Sequence, residues 1–96
     1  MHFNFPHKTT AVLAKNRIET TLREHAAEIA QHAKITKNEW EGGTLYFAVD
    51  LQGKTITGTL EITETDYILD ATLPLLWRMF EGKIEKEVRK QVEGMK

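Results

Sequence analysis

The chain has 96 residues, with 13 Lys and Arg against 14 Asp and Glu for a formal net charge of −1, and it contains neither cysteine nor serine. That length makes one domain, residues 1–96, in which folding removes roughly 60–70% of the unfolded surface from water, so the core is thin and a large internal cavity is hard to accommodate. The charge balance excludes a global field for nucleic acid or anionic lipid, and the missing thiols and serine hydroxyls exclude disulfides, thiolate metal sites and triad nucleophiles of those types.

At the start, Phe3 and Phe5 alternate with His2 and Asn4, the period-two pattern of a strand over residues 2–6, which Pro6 ends or edges by removing a backbone donor. This opening lacks the basic region and long apolar run of a signal peptide. No stretch is long enough to span a membrane, and the expectation is a soluble cytoplasmic protein. Thr9 or Thr10 can cap the next element. Ala11, Ala14, Ile18, Leu22, Ala26, Ile29 and Ala33 then recur at three- and four-residue steps, predicting a long amphipathic helix over residues 10–33. On its outer face Glu19 and Arg23 have the spacing that favours an ion pair.

From Ile35 the period changes and β-branched and aromatic residues replace alanine. Residues 35–40 read as a strand and Glu41-Gly42-Gly43 as a hairpin turn. Leu45, Phe47, Val49 and Leu51 alternate with polar or small neighbours. After the Gln52-Gly53-Lys54 turn, Ile56, Gly58, Leu60 and Ile62 alternate with threonines and Glu61. A further turn at residues 64–66 leads to a last strand in which Tyr67, Leu69, Ala71 and Leu73 share one side. Beyond Pro74, Phe80, Ile84, Val88 and Val92 repeat every four residues as a closing helix, which Gly82 weakens near its start. The expected fold is α+β: an antiparallel sheet of about five strands in the order β-α-β-β-β-β-α, with both helices packed on one apolar face.

Chemistry-bearing residues are sparse. His25 and His32 lie about 10 Å apart along a helix, too far to chelate one ion without other ligands, and they are expected at the edge of the apolar stripe. His7 follows Pro6 in a turn, where bonding to backbone is the expectation over proton transfer. Asp50, Asp66, Asp70 and the glutamates are spread over turns, the polar sheet face and helix exteriors. The row Thr55, Thr57, Thr59 and Thr63 is explained by strand propensity on an exposed face. Gly42-Gly43 lacks the lysine and helix of a phosphate loop. In the last helix Lys83, Lys86, Arg89 and Lys90 are interleaved with Glu81, Glu85 and Glu87, which argues against a nucleic-acid groove. No enzyme, metal or cofactor is expected.

The densest apolar stretch is Leu73 to Ile84, LPLLWRMFEGKI. Two readings stand for it. Trp77 and Phe80 can cap the core where helix meets sheet, or Leu75, Leu76, Trp77 and Met79 can remain exposed as a patch for self-association or an apolar surface. Helical spacing turns Trp77 inward with Phe80 and Ile84 and leaves Leu75 and Met79 as the outward candidates. Leu75, Leu76, Trp77, Met79 and Phe80 are therefore the candidate partner or apolar-surface residues.

Residues Phe3 to Lys8, Trp40 to Phe47, Gly58 to Thr63, and Leu73-Pro74 through Phe80 to Glu85 together resemble the polyhydroxyalkanoic acid system family. The similarity runs in order over nearly the whole chain, although each motif is short and structural in character. It implies a small bacterial protein tied to the synthesis, use or surface of polyhydroxyalkanoate storage granules, and it carries over no catalytic residue. The segment Ala48 to Lys54 extends the hairpin beyond typical members. The functional expectation is a non-enzymatic accessory protein that associates with granules or granule proteins through an apolar surface and self-associates as a homodimer. The alternative is a small hydrophobic-ligand module holding an acyl chain between sheet and helices.

Overall fold

A computed structural model describes residues 1–73, 79 and 81–94. Five strands form one antiparallel sheet: β1 (His2–Pro6), β2 (Lys34–Glu41), β3 (Thr44–Leu51), β4 (Lys54–Ile62) and β5 (Asp66–Thr72). Their spatial order is β1-β5-β4-β3-β2, so β1 and β2 are the edges. The last four strands in sequence run as a meander of tight turns, and β1 adds itself beside β5. Both predicted hairpin turns use left-handed backbone: Gly42 at φ 58, and Gln52 and Gly53 at φ 52 and 77. Gly53 takes this conformation without the β-carbon clash that Gln52 bears.

Among the described residues three helices accompany the sheet: α1 (Ala11–Glu24), α2 (Ala26–Ala30) and α3 (Glu81–Gly94). Thr10 is the cap of α1, its hydroxyl accepting the Leu13 N–H at 3.2 Å. The helix expected over residues 10–33 is divided at His25, whose φ −104 and ψ 12 leave the helical region. A straight helix of that span is about 36 Å long, whereas the eight residues of β2 and of β3 extend only about 26 Å. Breaking at His25 turns the chain back so that α2 meets β2. Glu19 and Arg23 do not pair; Arg23 donates instead to the Thr20 hydroxyl at 3.4 Å, consistent with the small worth of exposed ion pairs.

Alternation along the strands places Phe3, Phe5, Tyr67, Leu69, Leu60, Ile62, Leu45 and Phe47 on one face. Both helical regions lie on that face, as the one-sided pattern requires: Ala11, Ala14 and Ile18 of α1 and Val88 and Val92 of α3 join Phe3, Phe5, Ile62 and Tyr67 in one cluster. The opposite face carries His2, Thr57, Thr59, Glu61, Tyr46 and Asp70. Burial is concentrated under α1 and α3, toward β1, β5 and β4. Along β2 every residue but the half-buried Trp40 is exposed, and Ile35 is 40% exposed. Among the described residues only eight apolar side chains and His7 are buried. The core is as thin as the chain length implies.

Candidate functional site: apolar clefts beside the first helix

The uneven cover of the sheet leaves two clefts, one on each side of α1. The first, about 320 Å3, lies between α1 and α3 over the sheet; Phe5, Leu60 and Leu69 form its floor and Ile18, Val88 and Val92 its walls. Its wall presents no polar atom, although Glu87 and Gln91 also line it. The second, about 250 Å3, lies between the C-terminal half of α1 and the β2–β3 side of the sheet, lined by Leu22, Ile35, Phe47 and Val49 among others. Ile18, Leu60 and Leu69 belong to both. Ile18 is thus the divider that α1 presses onto the sheet.

The clefts open at Ile18 and Leu22, past the part of α1 that packs into the core cluster. Of its inward residues Ala11 and Ala14 are small, and Ile18 and Leu22 are long aliphatics. A helix standing on alanines at one end comes close to the sheet there, and Ala14 is fully buried. Where the neighbouring side chains are spaced farther apart, apolar surface is left without partners, which costs favourable contacts unless something fills it.

At its upper end the first cleft meets the turn after β1. His7 is 5% exposed, and both of its ring nitrogens are engaged with backbone. Nδ1 accepts the Thr9 N–H at 3.2 Å, so the proton lies on Nε2, which donates to the Thr63 carbonyl at 2.8 Å. His7 therefore bonds the backbone, as the turn context suggested. Beside it the Tyr67 ring packs edge-on at 5.4 Å, and the Tyr67 hydroxyl donates to the Ala14 carbonyl at 3.3 Å. Burial pushes the Tyr67 phenol above its usual range, and Arg17 partly opposes this.

The other histidines are peripheral. His2 meets Asp70 across the β1–β5 ladder on the open face, with both side chains more than half exposed. His25 contacts Glu28 at 3.0 Å at the helix break, and His32 is exposed beyond α2; neither lines the apolar stripe as the helical periodicity suggested, because the helix ends between them. Among the described residues no three of His, Asp and Glu converge on one point. Thr55 donates to Asp50 at 2.8 Å, and Thr63 organises the β4–β5 turn by accepting the Asp66 N–H at 2.9 Å. These threonines bond at the hairpin turns that join neighbouring strands.

Of the stretch singled out for apolar contact, Met79 is 82% exposed. Leu75, Leu76, Trp77 and Phe80 lie outside the described residues. The alternative sequence reading placed a pocket between sheet and helices; the residues that line the clefts there were not named from the sequence.

Residues 1–95 match the family described as "Putative polyhydroxyalkanoic acid system protein". No curated protein and no solved structure matches the chain. The match spans nearly the whole sequence, and the chain belongs to the polyhydroxyalkanoic acid system family.

Proposed function

We propose that this member of the polyhydroxyalkanoic acid system family is a non-enzymatic, cytoplasmic accessory protein whose apolar clefts take up aliphatic chains, those of the storage polyester or of the acyl units from which it is made. The observation that carries this reading is the pair of clefts flanking Ile18, of about 320 and 250 Å3, walled almost wholly by carbon. Together they are of the size that small-molecule sites have, and their lining is of the apolar kind that such sites favour. Among the described residues no helix is long and apolar enough to cross a membrane, which is compatible with work at a granule or in solution.

Contact with the granule surface or with granule proteins, and a homodimer, belong to the same reading. Val12 at 71%, Leu13 at 51% and Met79 at 82% exposure offer apolar groups outside the clefts, and the neighbouring Leu75, Leu76, Trp77 and Phe80 add to the apolar stretch in sequence.

The test is partitioning of purified protein onto polyhydroxybutyrate particles, alongside calorimetric titration with decanol. Val88→Gln and Leu69→Gln place amides in the cleft and are expected to abolish decanol binding and to weaken partitioning. If both variants stay folded and bind as the wild type does, the clefts are not the site. Unchanged partitioning of Leu76→Ala, Trp77→Ala and Met79→Ala would remove the second surface from the mechanism.

A further inference from the structure

The cleft between α1 and α3 ends in a cationic mouth. A cavity of about 500 Å3 adjoins it, sharing Phe5, Tyr67 and Val92 as walls, and is lined by Lys8, Arg17 and Arg89 with Glu93 as its one acidic residue. Three cations against Glu93 in the lining and Glu85 beside Arg89 leave a local excess of one positive charge in a protein whose formal net charge is −1. The three come from three separate segments: the turn after β1, the middle of α1 and the second half of α3.

Each of them is held in a particular way. Arg89 stands over the Phe5 ring at 5.1 Å and contacts Glu85 at 3.2 Å. Arg17 donates to the His7 carbonyl at 3.4 Å, and among the described residues neither Arg17 nor Lys8 has a carboxylate within ion-pair distance. Lys8 occupies left-handed backbone at φ 57, which costs a non-glycine residue about 1 kcal/mol. The turn tolerates that conformation because the neutral His7 ring ties it to Thr9 and Thr63. Strain of this sort, kept in place by surrounding contacts, is found preferentially at binding sites. His7 and Tyr67 have their polar atoms committed to protein groups. The charge that a ligand meets there is set by Lys8, Arg17 and Arg89 against Glu93 and the Glu85 that Arg89 contacts.

We infer that the α1–α3 cleft is a site for a free aliphatic monocarboxylate, its chain lying on Phe5, Leu60 and Leu69 and its carboxylate held among Lys8, Arg17 and Arg89. This rests on the chain-binding reading of the cleft and adds the head group. A guanidinium gives a carboxylate paired, charge-assisted hydrogen bonds that an alcohol or an ester cannot match. An alkylammonium would meet like charge at the mouth. The substrate class is thereby narrowed from any apolar chain to an acid with a free terminus, such as a released alkanoic or hydroxyalkanoic acid.

The experiment titrates the full chain with decanoate, decanol and decyltrimethylammonium at low salt. Decanoate is expected to bind about tenfold tighter than decanol, with the ammonium weakest, and the preference is expected to shrink in high salt. Lys8→Gln and Arg17→Gln should remove the preference for decanoate while leaving decanol affinity unchanged. Arg89→Gln, at an exposed position, provides a further variant should Arg17→Gln fail to fold. Equal binding of decanoate and decanol would overturn the head-group assignment and leave the chain-binding reading intact. Binding of none of the three would overturn both. A preference for decanoate that survives all three substitutions would place the carboxylate elsewhere and overturn the inference.

Discussion

Gly58 lies directly across the ladder from Phe47, and the Phe47 ring occupies the space that a side chain at position 58 would need. A β-carbon there would meet Phe47 Cζ at 2.7 Å and the Ala71 Cα at 3.0 Å, and would press on the Asp70 carbonyl. Two of these three neighbours are backbone of the adjacent strand and cannot swing aside. Gly58→Ala is therefore expected to destabilise the fold by about 1–3 kcal/mol, measured by urea unfolding. Adding Phe47→Ala should not restore stability, because the backbone contacts with β5 remain. Full rescue in the double variant would show that Phe47 alone demands the glycine.

Replacing His7 removes two backbone partners together. His7→Ala leaves the Thr63 carbonyl and the Thr9 N–H without the ring that serves both, and a loss of about 1–3 kcal/mol is expected. Because the same ring holds the turn that presents Lys8, the variant should also lose the preference for decanoate over decanol. Retention of full stability would mean that water replaces both bonds.

Tyr67 predicts a pH dependence on the alkaline side. Its folded pKa is raised, chiefly by burial, so the native state holds a proton that the unfolded chain releases at about pH 10. That contribution is fully present below the unfolded value and is lost as pH climbs toward the folded one. Chemical unfolding followed above pH 9 should show stability falling in the wild type and a shallower fall in Tyr67→Phe. Arg17→Gln removes the cation that opposes the shift and should move the onset of phenol ionisation, read by ultraviolet absorbance, further upward.

Ile18→Ala tests the division between the two clefts. Removing the side chain common to both is expected to cost about 1–3 kcal/mol, less than for a fully buried isoleucine because Ile18 is only partly buried. The joined clefts should then favour a longer chain, so hexadecanol is expected to gain affinity relative to decanol. An unchanged ratio would show that ligands use one cleft only.

Strand positions and the face each strand presents were legible because period two needs only the neighbours in the chain, and β1 was found as expected over His2–Pro6. The closing helix α3 is likewise found over Glu81–Gly94, on the four-residue apolar repeat of Ile84, Val88 and Val92. The end of α1 was not legible. The apolar three- and four-residue spacing continues through His25, and the break there goes with the packing of α2 against β2, a contact of the assembled fold.

By itself the sequence determined an α+β chain with a one-sided sheet, a thin core and the family to which it belongs, since periodicity, turn residues and chain length act locally or through composition. Only the tertiary structure decided that clefts open on either side of Ile18. It also decided that Lys8, Arg17 and Arg89 share one cavity. Neither fact has a signature in the linear chain, because a gap depends on how far apart packed elements stand, and a charged mouth depends on which distant segments the strand order β1-β5-β4-β3-β2 brings side by side.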